Sequence, residues 1–278
     1  MAISTNRISR FSKEFLIFGL KEARASIFAG SFFVILFASN HIPLFGFARY
    51  DFLFVAAVII QLVMYFTKLE TKDEVKVICL FHVIGLGLEL FKTSPGVGSW
   101  SYPEEGFFKI ATVPLYSGFM YAAVGSYISQ AWKGLRVRLS GFSAKLPEKT
   151  FYILCAVLCV LIYLNFFTNH YIVDVRWFLM AAVFALFWKV RLHFTVLKDG
   201  PERWMPLNIA MGLVAFFIWV AENISTYLGA WQYPDQVHIW TVVSTNKVTS
   251  WFLMVIISFI LVAGLKWWKG RRSMRMPI

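Results

Sequence analysis

Apolar residues along the chain gather into runs of about twenty, and short segments rich in Lys and Arg separate them. A helix rises about 1.5 Å per residue, so about twenty apolar residues cross a hydrocarbon core about 30 Å thick. Runs of that order lie near 26–46, 50–67, 74–92, 107–131, 150–168, 173–190, 205–227 and 248–268. The pattern predicts an all-α polytopic integral membrane protein of about eight transmembrane helices. Ahead of the first run, residues 8–24 place Phe11, Phe15 and Phe18 at helical spacing, with Arg10, Lys13, Glu14 and Lys21 elsewhere around the axis. That arrangement suits an amphipathic helix lying at the membrane surface. The 26–46 run is longer than a signal-peptide core and lacks a small-x-small cleavage site, so it is read as the first span.

Within this apolar background the polar positions repeat. Residues 85–103, GLGLELFKTSPGVGSWSYP, have a second copy at residues 219–234, WVAENISTYLGAWQYP. In each copy a glutamate interrupts an apolar run, a threonine follows one turn later, and Gly-x-Trp-x-Tyr-Pro closes the segment. Glu89, Thr93, Gly98, Trp100, Tyr102 and Pro103 thus match Glu222, Thr226, Gly229, Trp231, Tyr233 and Pro234. Asn40-His41 ends the first run as Asn169-His170 ends the fifth, and Arg49-Tyr50 opens the second as Arg176-Trp177 opens the sixth. The chain is therefore expected to comprise a surface segment 1–25, a four-helix repeat 26–131, a basic linker 132–149, a second four-helix repeat 150–268 and a basic tail 269–278. An even number of spans in each half gives both the same orientation, which predicts a parallel duplication and not an inverted one.

Composition agrees with a bilayer. Of the 278 residues, 59% are hydrophobic and 15% charged, and the mean hydropathy is +0.65, leaving too little polar surface for a soluble domain of this size. The net charge of +12 does not point to nucleic acid, because the bases sit in short segments between spans instead of along one solvated face. Twenty-two of the 27 fall on the side of the N-terminus in the eight-span arrangement, leaving Arg49, Lys92, Lys109, Arg176 and Lys247 on the other. The positive-inside rule then predicts that both termini are cytoplasmic. Cys79, Cys155 and Cys159 all lie in apolar runs, without metal-ligand spacing, and read as packing residues.

Candidate chemistry collects at the ends of the helices opposite the termini. A carboxylate at the centre of a span costs about 2.5–3.5 kcal/mol on insertion scales, so Glu89 and Glu222 are expected to face an interior. Their expected neighbours are Asn40, His41, Thr93, Asn169, His170 and Thr226, with the loops bearing Trp100, Tyr102, Trp231 and Tyr233 as a roof over one shared cavity. Those four aromatics would also suit an outer interfacial belt. His82 lies two turns before Glu89 and shares its face of the helix, as a proton relay or as a residue tied to a neighbouring helix. A mixed metal set of His41, His170, Glu89 and Glu222 lacks any His-x-x-x-His or Glu-x-x-His pair, so no metal is predicted. Gly85, Gly87, Gly118 and Gly125 are expected to permit close helix packing. No phosphate loop, nucleophile elbow or nucleotide fingerprint occurs, and the sequence names no cofactor.

The run HVIGLGLELFKTSPGVGSWSYPEEGFFKIATVPLYSGFMYAAVGSYI, with its shorter echo ending in GAWQYPD, resembles a family of bacterial integral membrane proteins catalogued as a domain of unknown function. That resemblance covers nearly the whole chain and implies an inner-membrane location, without bringing an activity. The tandem helix followed by Gly-x-Trp-x-Tyr is more faintly similar to the small membrane lycopene cyclases and related carotenoid-modifying proteins. Those carry a Pro-x-Glu-Glu motif where this chain reads Val113-Pro114-Leu115-Tyr116, without acids. Three functions fit these features. One is modification of a lipid or isoprenoid, with Glu89 and Glu222 as proton donor and acceptor. Another is a transporter or channel for a small solute or cation enclosed by two halves. The third is a structural membrane protein, whose partner is the bilayer itself.

Overall fold

The computed structural model describes residues 2–142 and 147–275 and is mostly helical. Helix α1 (Ala2–Ala25) runs almost directly into α2 (Ile27–Ala38). Then follow α3 (Arg49–Phe66), α4 (Lys72–Lys92), α5 (Ser117–Gly134), α6 (Glu148–Thr168), α7 (Arg176–Phe187), α8 (Leu207–Tyr227) and α9 (Lys247–Arg275). Each expected span holds one of the helices α2 to α9, and the interfacial segment is α1. By length and composition α3, α6, α8 and α9 are able to cross a membrane, while α2 and α7 are shorter apolar helices of 12 residues each. The expected 26–46 and 173–190 spans are thus shortened. Ser39 and Asn40 turn the chain out of α2, and α7 gives way to a strand.

Two small sheets accompany the helices. Strands β1 (Lys109–Ile110) and β2 (Val113–Pro114) form a hairpin ahead of α5, so that helix starts later than the 107–131 run predicts. Strands β3 (Arg138–Ser140), β4 (Arg191–Thr195) and β5 (Glu202–Pro206) form an antiparallel sheet in the order β3-β4-β5. The basic linker therefore contributes a paired strand, while its residues 143–146 lie outside those described, as do residues 276–278 of the expected tail. Arg191 lies over the Trp204 ring, 4.2 Å from its centroid, and His193 is within 2.7 Å of Ser140 and 3.1 Å of Glu202.

Helix pairings recur between the two halves. In the first, α2 packs on α3 and α5, and α4 on α5; in the second, α6 packs on α7 and α9, and α8 on α9. The fourth helices, α5 and α9, meet each other. Small residues bring α4 and α5 close, because a Cβ at Gly85 would lie 2.3 Å from the Tyr121 ring and one at Gly125 2.4 Å from the Phe81 ring. At Gly118 a Cβ would lie 2.6 Å from His82, whereas at Gly87 it would meet Tyr163 at an ordinary 3.5 Å. Three of the four expected packing glycines are thus sterically required. The buried face of α5 also holds Ser117, Ser126, Ser129 and Gln130, which is why this central helix is less apolar than the outer ones.

Where α4 begins, a capping box at Thr71 opens the helix, and the Glu74 carboxylate is held by Lys133 of α5 and, at 2.7 Å, by Lys266 of α9. Buried Glu70 accepts from Ser126 and Gln61, and its pKa is raised by burial against those hydrogen bonds. Helix α1 docks on the same end: Lys21 donates to the Gly134 carbonyl at 2.7 Å, Tyr127 donates to Glu22 at 2.7 Å, and Phe18 packs against Phe194. Phe11, Phe15, Leu16 and Leu20 remain exposed along the rest of α1.

Candidate functional site

Glu89 lies one turn before the end of α4 and is 2% exposed. A carboxylate so buried needs its oxygens satisfied by protein. Trp100 Nε1 and Tyr102 Oη donate to its Oε2 at 2.7 and 2.8 Å, and Tyr121 Oη from α5 donates to its Oε1 at 2.8 Å. Glu222 of α8 repeats the arrangement: Tyr233 Oη donates to Oε1 at 2.6 Å and Trp251 Nε1 from α9 donates to Oε2 at 2.8 Å. Tyr121 and Trp251 are both the fifth residue of their helices. Each glutamate therefore ties its own Trp-x-Tyr loop to the helix that follows. The motif glycines begin both loops in the left-handed region, Gly98 at φ +54° and Gly229 at φ +74°, where a side chain would be strained.

The two loops pair with each other. Ser101 and Gln232, the middle residues of Trp-Ser-Tyr and Trp-Gln-Tyr, exchange backbone hydrogen bonds of 2.9 and 3.0 Å as an isolated antiparallel bridge. Trp100 packs edge-on against Tyr233, and Tyr121 lies 6.1 Å from Trp251, centroid to centroid. Tyr102 packs with Tyr50 and Tyr116, and Trp231 is buried in the same cluster.

Other expected neighbours of the glutamates are elsewhere. Thr93 Oγ1 donates to the backbone carbonyl of Glu89 and not to its carboxylate. Thr226 Oγ1 donates to the Asn223 carbonyl and accepts from Trp240. Asn40 caps the end of α8 by donating to the Leu228 carbonyl, while Arg49 donates to the carbonyls of Leu228 and Gly229 and pairs with Glu104 at 2.5 Å. His41 bonds back to the Phe37 carbonyl. His82 lies edge-on to Phe119, and its Nδ1 is buried without a partner among the described residues. The correction has one physical reason. A short hydroxyl or amide at a helix end is taken up by nearby backbone carbonyls, whereas indole and phenol donors on a folded-back loop reach the carboxylate. Among the described residues no three His, Cys, Asp or Glu side chains form a metal-ligand group.

A cavity of about 180 Å³ opens beside this layer, lined from the first half by Leu88, Lys92, Ser99, Trp100 and Tyr121. The second half contributes Phe166, Asn169, His170, Arg176, Glu222 and Tyr233, with Lys247, Ser250, Trp251 and Met254 from α9. Lys92 approaches His170 Nε2 at 2.6 Å and Asn169 Oδ1 at 3.3 Å, which joins the end of α4 to the end of α6. His170 is held below the ordinary histidine pKa by partial desolvation first and then by the Lys92 and Lys247 charges, so it accepts as a neutral ring. Arg176 pairs with Asp174 at 3.0 Å and donates to Thr249. Of the expected site residues, Glu222, Trp100, Tyr233, Asn169 and His170 reach the cavity; Lys92, Arg176 and Lys247 were not among them. Their signal was their place among the five bases left over by the positive-inside count.

The model of the family described as Protein of unknown function (DUF817) matches residues 14–259. The chain belongs to that family. As a DUF817 protein it is 48% identical over 260 residues to Uncharacterized protein YoaT of Bacillus subtilis (strain 168), with 92% of this chain and 93% of that one covered. A solved structure of a cross-linked MvINS trimer is similar over 75% of this chain and 98% of its own, at 14% identity and a TM-score of 0.48.

Proposed function

We propose that this DUF817 protein is a multi-pass inner-membrane protein, made of two like-oriented four-helix halves, that binds a lipid-class amphiphile in the cavity at their junction. The observation that carries the reading is the cavity wall. Its polar groups come from both halves at the helix ends, and Leu88, Phe166 and Met254 continue it inward. Leu88 lies four residues before Lys92 and Met254 seven after Lys247. At about 1.5 Å per residue these apolar side chains sit roughly 6–10 Å deeper than the lysines. A molecule with a polar head and an apolar chain matches that gradient.

Several features support the repeat. Equivalent residues, Ser101 and Gln232, pair antiparallel, which is what a twofold axis passing between the loops would produce. Three helix pairings of the first half recur in the second, and eight spans with cytoplasmic termini remain the arrangement that the charge distribution favours. In this reading the glutamates anchor the roof and are not an acid–base pair. Both Glu89 oxygens already accept hydrogen bonds, and Glu89 is absent from the cavity wall. A transport route has less support, because α4 and α8 continue unbroken past the glutamates.

The test is to purify the full chain in a neutral detergent, identify lipids that co-purify, and compare Leu88→Trp and Met254→Trp, which fill the apolar part. The wild type should carry or take up a long-chain amphiphile and both variants should lose it. Uptake unchanged in both correctly folded variants would overturn the reading.

A further inference from the structure

Resting on that reading of the cavity, we infer that its occupant carries an oxyanion, a carboxylate or phosphate headgroup, held by Lys92, Arg176 and Lys247 with His170 and Ser99 beside them. Charge selects this class. Three cations on the wall face one carboxylate, Glu222, whose two oxygens are already engaged by Tyr233 and Trp251. Asp174 offsets Arg176 from outside the wall, and an excess of positive charge remains. Such groups near hydrocarbon are normally paired or line a pathway.

Lys247 is the most telling member. Among the described residues its Nζ makes no hydrogen bond or ion pair; it lies 4.5 Å from the Tyr233 ring centroid and 5.2 Å from that of Trp100. Cation–π contact keeps the ammonium in place at the cavity wall without a carboxylate to neutralise it. Lys92, 6% exposed, spends its short contacts on a neutral histidine and an amide, so its charge too lacks a carboxylate. Arg176, held by Asp174 and Thr249, is a fixed guanidinium of the kind that binds carboxylate and phosphate in a planar fork.

Size agrees with a headgroup and excludes a whole lipid from the pocket. A cavity of about 180 Å³ is smaller than the roughly 300–1,000 Å³ of pockets that enclose a drug-sized ligand. It accommodates an oxyanion and the first few methylenes, and the remaining chain would lie along the apolar continuation past Leu88 and Met254.

The experiment uses the full chain in neutral detergent and four probes, dodecanoate, dodecyl phosphate, dodecanol and inorganic phosphate, with binding measured by titration calorimetry. The two anionic amphiphiles should bind at least tenfold more tightly than dodecanol, about 1.4 kcal/mol. Lys247→Met and Arg176→Gln should each remove most of that preference, and Lys247→Arg should keep it. Inorganic phosphate binding as tightly as dodecyl phosphate would locate the recognition in a free anion and not in a lipid headgroup, leaving the oxyanion assignment intact. Equal binding of dodecanol and the anions, or a preference unchanged in both charge-removal variants, would overturn the inference. Dodecanol binding that Met254→Trp abolishes would at the same time uphold an amphiphile cavity, so the two failures are distinguishable. Should Arg176→Gln not fold, Lys247→Met alone decides, since that side chain makes only ring contacts, to Trp100 and Tyr233, and no hydrogen bond or ion pair among the described residues.

Discussion

Removing one hydroxyl from the roof tests the anchoring scheme most directly. Tyr102→Phe deletes one of the three donors on Glu89 and keeps the ring that packs against Tyr50 and Tyr116. Hydrogen bonds to charged groups contribute about 1.5–3 kcal/mol. Tyr233→Phe deletes one of only two donors on Glu222, so its cost belongs at the upper end of that range. A chain of this size loses roughly 2–4 °C in Tm per kcal/mol. Tyr102→Phe should therefore lower the midpoint by about 3–6 °C and Tyr233→Phe by about 6–12 °C, read by thermal unfolding in detergent with size-exclusion chromatography of the soluble fraction. The loops are joined through Ser101 and Gln232, so the double variant should depart from additivity by about 0.5 kcal/mol or more. A Tm within 1 °C of wild type for both single variants would refute the scheme.

Gly85→Ala should destabilise by about 1–3 kcal/mol through overpacking, because its Cβ would press the Tyr121 ring away from Glu89; Gly87→Ala, with only an ordinary contact, should be near neutral in the same unfolding assay. Lys266→Met leaves buried Glu74 with Lys133 and the Thr71 cap, and should cost about 1.5–3 kcal/mol in thermal unfolding, whereas Lys266→Arg should cost less. Reporters fused after Ile278 and within the 132–149 linker should both read cytoplasmic, and a periplasmic signal from either refutes the eight-span orientation.

Helix positions were legible because apolar length alone sets them, and the doubled Glu to Trp-x-Tyr motif located the residues that meet. What the sequence analysis missed has a common origin in side-chain reach. It expected Thr93, Thr226 and the two Asn-His pairs beside the carboxylates, with the Trp-x-Tyr loops as a roof, and the donors are indoles and phenols 11 to 32 residues away. Tyr121 and Trp251 carried a detectable signal, since each is an aromatic at the fifth position of its half's fourth helix. The three-stranded sheet was also detectable: Arg191, His193 and Thr195 alternate with Leu192 and Phe194, a period of two that the adjoining apolar runs overshadowed. The charge count set residues 92, 176 and 247 on one side, but their meeting at one cavity was not readable, because nothing local brings them together.

Comparison of the two motif copies indicates which of these cations the fold itself requires. By position, Arg49 answers to Arg176, Ser225 to Lys92 and Ser117 to Lys247, the last two being the third residue after each glutamate and the first residue of each fourth helix. On the first-half side Arg49 is consumed by Glu104 and the end of α8, and Ser117 and Ser225 are buried at 0% and 6% exposure. The same junction therefore closes with two serines where the other keeps two lysines. Partly buried cations that crowd one another oppose folding, which offsets what Lys92 gains from Asn169 and His170, so two lysines whose counterparts are serine are not what closes the junction. Lys92→Ser combined with Lys247→Ser should accordingly leave Tm unchanged or raise it by a few degrees, measured in ligand-free detergent. A fall as large as that of Tyr233→Phe would mean that the lysines hold the halves together.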